Sequence, residues 1–120
     1  MKIKEIAFTC YPVTDMARAR AFYEQVLGLK PAQVYGDGAK GWVEYDISGG
    51  TLAIGSGAPE WKPASGGCCA GLEVDDFEGA IANLRSAGVT LRGDPIETPV
   101  CWMAIVPDPE GNSVIIHKRK

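Results

Sequence analysis

The sequence predicts an α+β fold of two tandem βαβββ modules, their strands forming a curved mixed sheet with a concave inner face. Three observations carry this. Short runs rich in Ile, Val, Phe and Tyr recur between Gly-containing turns, which is the signature of strands. Each half holds one segment with apolar residues at helical spacing behind an Asp. The second half repeats the element order of the first, and such a repeat constrains the architecture more than any single motif.

Residues 3–13, IKEIAFTCYPV, read as the first strand. Asp15 then caps a helix in which Met16, Ala19, Phe22, Tyr23, Val26 and Leu27 share one face. Gly28 supplies the left-handed residue that ends it. Strands follow at 32–35, 41–47 and 51–55, with turns at YGDGAKG (35–41) and SGG (48–50). In the second half CCAGLEV (68–74) is strand-like, and Asp76 caps a helix with Phe77, Ala80, Ile81 and Leu84 on one stripe. Gly88 ends this helix, and VTL (89–91), VCWMAIV (100–106) and SVIIHK (113–118) are the strands after it. The halves align Asp15 on Asp76, Gly28 on Gly88, Trp42 on Trp102 and Ala53 on Ile115. The modules occupy 1–56 and 68–120, and the Gly-, Pro- and Ser-rich stretch 57–67 between them reads as a linker. Trp61 within it is too apolar to stand in water and is expected to pack back on a neighbour or a partner chain.

The bulk numbers exclude several function classes. A net charge of −3 argues against nucleic acid, which needs a basic patch, and the basic run HKRK reads as a solvated tail. No stretch approaches the ~18 apolar residues of a membrane span. The opening MKIKEIAFTC is interrupted too early for a secretory signal, so a cytoplasmic protein is expected. Cys10, Cys68, Cys69 and Cys101 contain no C-x-x-C and no nearby His, so zinc-site spacing is absent and buried thiols are the default. Cys10 shares strand parity with Phe8, so Cys10 and Cys69 could approach across paired strands, which leaves a disulfide between them open.

Three segments together carry a family resemblance: PVTDMARARAFYEQVLGL, LEVDDFEGAIANLRSAGV and VPDPEGNSVII. In this order, over essentially the whole chain, they resemble the vicinal oxygen chelate superfamily of glyoxalases, extradiol dioxygenases and bleomycin resistance proteins. The resemblance implies a homodimer and a metal held from four inward-facing strand positions. Matched by motif, those positions fall on Phe8, Ala53 (Gly55 if the register slips), Cys69 and Ile115. Phe, Ala and Ile offer no lone pair, and one thiol cannot complete the donor set of a divalent ion. No metal ion and no cofactor are therefore expected.

Strand parity leaves the faces of Trp42 and Trp102 open between a groove wall and packing against the helices or a dimer interface. Phe8, Cys10, Trp42, Ala53, Cys69, Trp102, Ile115 and His117 are the expected ligand-binding residues of an apolar, aromatic groove. His117, the sole histidine, and Glu73 are the catalytic candidates, although for each a solvated group at a strand end is the more ordinary reading. Two functions are carried forward. One is a metal-free protein that binds or sequesters a small organic molecule, as the bleomycin-resistance branch does with cationic drugs. The other is a glyoxalase-like lyase or isomerase using Glu73 or His117 for proton transfer. The second lacks an evident electrophile for an enolate, which places it behind the first.

Overall fold

The protein is described from a computed structural model covering residues 1–37 and 39–120. The chain forms two compact units, Met1–Pro63 and Ala64–Lys120. Their boundary lies in the stretch 57–67. The ladders group the strands into two four-stranded mixed sheets, one per unit.

In the first unit β1 (Thr9–Pro12) leads to helix α1 (Met16–Arg20), which continues as a π-helical turn over Ala21–Val26. Asp15 is the cap: its Oδ1 accepts from the Arg18 N–H at 3.0 Å, satisfying one of the orphan donors of the first turn. The π-turn is marked by the Leu27 N–H reaching the Phe22 carbonyl, five residues back. Gly28, at φ 74°, then takes the left-handed conformation that reverses the chain without a Cβ clash. Strands β2 (Pro31–Gly36), β3 (Gly41–Ile47) and β4 (Gly50–Gly55) complete the sheet in the order β1-β4-β3-β2, with β1 parallel to β4 and the other pairs antiparallel. The turn expected over 35–41 includes Gly38, which lies outside the described residues.

Alternation sorts this sheet into two faces. Tyr11, Val43, Tyr45, Leu52 and Ile54 are buried toward the helix, where Tyr23 stacks on Tyr11 and Tyr45 at 6.2 and 6.1 Å between ring centroids. The Tyr45 hydroxyl donates to Glu24 at 2.9 Å, and the Arg20 guanidinium grips the same carboxylate. The core of this unit is thus aromatic and ends in a satisfied polar network.

The second unit runs β5 (Ala70–Glu73), α2 (Phe77–Ser86), β6 (Ile96–Glu97), β7 (Cys101–Pro107) and β8 (Ser113–Arg119), in sheet order β5-β8-β7-β6. Asp76 caps α2 through the Gly79 N–H at 2.9 Å, and Ile81 and Leu84 are its buried stripe. Ala104, Val106, Val114 and Ile116 form the matching buried side of the sheet. A tight Asp108–Asn112 turn joins β7 to β8, with the Asp108 carboxylate accepting from the Glu110 and Asn112 amides and from the Asn112 side chain.

Three expectations are corrected. Residues 3–8 form no ladder, and the first strand starts at Thr9. VTL (89–91) is not a strand; the third strand of the second unit is the two-residue β6 beyond the Gly93 turn. The ladder also shifts the tryptophan correspondence by one residue. Trp42 pairs with Gly55, and the residue that pairs with the equivalent His117 is Met103, not Trp102.

Candidate functional site

Each sheet has one face turned to its helix, and the residues singled out by sequence gather mainly on the opposite face. In the first unit, Ala53 of β4 lies beside Cys10 of β1 and Glu44 of β3, while Gly55 lies beside Pro12 and Trp42. Cross-strand partners share a face, so Cys10, Trp42, Glu44 and Ala53 line one surface. Phe8, just ahead of β1, joins them edge-on to Trp42, with centroids 5.2 Å apart and planes at 83°.

Gly55 explains how the aromatic side chains fit. A Cβ built there would stand 2.9 Å from the Trp42 ring and 3.2 Å from the Trp61 ring. Both indoles therefore lie against the bare glycine backbone, a close approach that only Gly allows. Trp61 packs back on its own unit, one of the two fates open to it from the sequence. Phe8 and Trp61 remain 49% and 40% exposed, so the cluster presents aromatic surface to solvent rather than sealing it in a core.

Glu44 is the residue that sequence reasoning missed. Its Oε2 accepts from the Trp42 indole Nε1 at 2.8 Å, which fixes the ring and places a carboxylate at its edge. The W-x-E spacing at 42–44 could have signalled it, since residues two apart on a strand share a face. Burial, and then the Glu44 charge, push the Cys10 thiol up to about 12, so it stays protonated and is no nucleophile at neutral pH. All four cysteines are free.

In the second unit, Gly71 and Glu73 of β5, Met103 and Ile105 of β7 and Ile115 and His117 of β8 share the face away from α2. Here the two catalytic candidates meet. Glu73 Oε2 lies 2.5 Å from His117 Nδ1, and Glu73 Oε1 accepts from the Arg119 N–H at 2.7 Å. The Arg119 amide and then the His117 hydrogen bond hold the Glu73 carboxyl below the usual carboxylate range. Cys69 stands exposed just ahead of β5.

Trp102 is set apart from this group. It lies on the α2 side, paired with Lys118, with Lys120 Nζ 4.7 Å above its ring. There it lines an open groove of about 670 Å³ with Phe77, Ile81 and Pro95. Of the eight expected ligand-binding residues, Phe8, Cys10, Trp42 and Ala53 come together in one unit. Ile115 and His117 come together in the other.

The four family metal positions fail a test of chemistry. Phe8 and Ala53 in the first unit and Ile115 in the second offer only carbon, and Cys69 offers one thiol. Among the described residues no group of three or more His, Cys, Asp or Glu is placed to share a metal ion. No helix among them is long and apolar enough to cross a membrane.

The fold and this face define a two-module βαβββ protein with an aromatic, carboxylate-edged surface on its first unit. The sequence profile of the Glyoxalase/Bleomycin resistance protein/Dioxygenase superfamily matches residues 3–116, and the chain belongs to that superfamily. Among solved structures it is similar to TnmS3, an antibiotic-binding protein from Streptomyces sp. CB03234. The two share 25% identity at a TM-score of 0.82, over 100% of this chain and 99% of that one. It also superposes on the lactoylglutathione lyase of Agrobacterium tumefaciens (TM-score 0.76, 18% identity, 98% and 95% coverage). A third is the trypanothione-dependent glyoxalase I of Leishmania major (TM-score 0.77, 19% identity, 97% and 87% coverage). These two attest the fold alone. No functionally curated protein matches the sequence.

Proposed function

We propose that this protein binds a small, flat organic molecule without transforming it and without a metal ion, on the helix-free face of the first unit. The observation that carries the reading is the cluster of Phe8, Trp42 and Trp61 about Gly55, with the Glu44 carboxylate at the edge of Trp42. Exposed aromatic faces suit stacking, and a carboxylate beside them favours a ligand bearing positive charge. The similarity to an antibiotic-binding protein supports the same reading. Work in the cytoplasm as a homodimer belongs to this proposal, the first supported by four free cysteines and the second by the family resemblance.

A probe pair tests it. 9-Aminoacridine, a flat cation, should quench tryptophan emission saturably, and Trp42→Ala should abolish the quenching. Neutral acridone should bind more weakly. Absence of saturable quenching, or stoichiometric metal in the purified protein, would overturn the proposal. The second reading, a lyase or isomerase, has one observation in its favour, the Glu73–His117 pair. Turnover of a carbonyl substrate that is lost in His117→Ala would support it.

A further inference from the structure

We infer that the Glu73–His117 pair is a hydroxyl-recognition site, in which His117 Nε2 accepts a hydrogen bond from a phenolic or enolic O–H of a small organic molecule. The geometry assigns each atom. Glu73 Oε1 is engaged by the Arg119 amide, a group that can only donate, and Oε2 faces His117 Nδ1 at 2.5 Å. An ionised carboxylate can only accept, so the neutral imidazole must carry its hydrogen on Nδ1. Nε2 is then a bare lone pair. It has no hydrogen-bond partner among the described residues, and no buried side-chain nitrogen or oxygen among them is left unpaired, so Nε2 keeps access to solvent.

The surroundings limit what else this nitrogen can meet. Met103 faces His117 across the β7–β8 ladder, with Ile105 and Ile115 one step along the same face. Among the described residues the charged groups on that face are Glu73 and Arg119, with Arg92 reaching its far end by donating to Ser113; Lys118 belongs to the opposite one. An acceptor beside thioether and hydrocarbon suits an aromatic or conjugated ring with a hydroxyl at its edge. Glu73 is thus a positioning residue, acting through the histidine. The site belongs to the second unit alone, and the inference goes beyond the first-unit binding reading. The assigned tautomer stands apart from it.

The sole histidine makes the test direct, because a long-range proton–nitrogen spectrum of labelled protein contains one imidazole. The expected spectrum of the neutral ring shows hydrogen on Nδ1, and adding 4-methylphenol, which keeps its O–H at a pH where the ring is neutral, shifts the Nε2 resonance. In Glu73→Gln the amide oxygen must stay on the Arg119 N–H. Its NH2 then faces Nδ1, and the hydrogen moves to Nε2. That variant should invert the tautomer and weaken 4-methylphenol several-fold, because a phenol donates its O–H more strongly than its oxygen accepts. Glu73→Asp should retain the wild-type tautomer. An Nε2–H tautomer in the wild type overturns the inference. So does an Nε2 resonance that ignores 4-methylphenol; if 9-aminoacridine still quenches Trp42, the binding reading survives that failure.

Discussion

Replacing Gly55 with Ala is the sharpest probe of the aromatic cluster. The new methyl would stand 2.9 and 3.1 Å from two atoms of the Trp42 ring and 3.2 Å from the Trp61 ring, inside ordinary contact distance for all three. Trp42 has little room to retreat, because Phe8 meets it edge-on and Glu44 holds its Nε1. Overpacking of this kind costs about 1–3 kcal/mol. Gly55 is not among the positive-φ glycines, so Ala also recovers about 0.4–1 kcal/mol by restricting the unfolded chain. The net loss is about 1–2 kcal/mol, and at about 4 °C per kcal/mol for a domain of this size the melting temperature should fall about 4–8 °C. Thermal unfolding followed by circular dichroism measures it, with 9-aminoacridine affinity as the second readout, expected to drop about tenfold as the indoles separate. An unchanged or raised melting temperature with unchanged affinity would refute the packing of both indoles on Gly55.

Three further outcomes are expected. Glu44→Gln keeps an acceptor for the Trp42 indole but removes the charge, so 9-aminoacridine should weaken several-fold at low salt while acridone is unaffected; fluorescence titration distinguishes them. A thiol reagent at neutral pH should label the exposed Cys68 and Cys69 quickly. It should spare buried Cys101, and Cys10 with its thiol pushed up to about 12, until denaturant is added, as mass spectrometry of the adducts would show. Glu24, held down first by the Arg20 hydrogen bond, and Glu73 both have folded-state values below their unfolded ones. Their contribution is complete above the ordinary carboxylate range and disappears as pH falls through the lowered values, so Glu24→Gln should flatten the acid limb of a stability–pH curve.

Much of the fold was legible because local chemistry and tertiary need agree. Asp15 and Asp76 cap where an N-cap was expected, Gly28 and Gly88 take the left-handed turn, and the β-branched runs become ladders. VTL (89–91) misled because β-branched composition says nothing about a partner, and the Arg92 N–H bonds to Ile105 without starting a ladder. The π-turn at 21–26 carries no sequence signal distinct from an α-helix. The candidate site was half legible. Parity grouped Phe8 with Cys10 and Ile115 with His117. The faces of the tryptophans stayed open and their pairing was misaligned because the β3–β4 and β7–β8 turns differ in length, so linear alignment could not locate Trp42 opposite Gly55 or reveal Met103 as its counterpart. Glu44 was hidden by its charge, which reads as a solvated strand residue until the indole hydrogen bond is seen.

The most direct test of ligand capture by the first unit follows the three indole N–H resonances during titration with 9-aminoacridine. Trp42, whose N–H is tied to Glu44, and Trp61 should shift together and saturate, while Trp102 stays in place. A response confined to Trp102, or none at all, would contradict the assignment of the binding face.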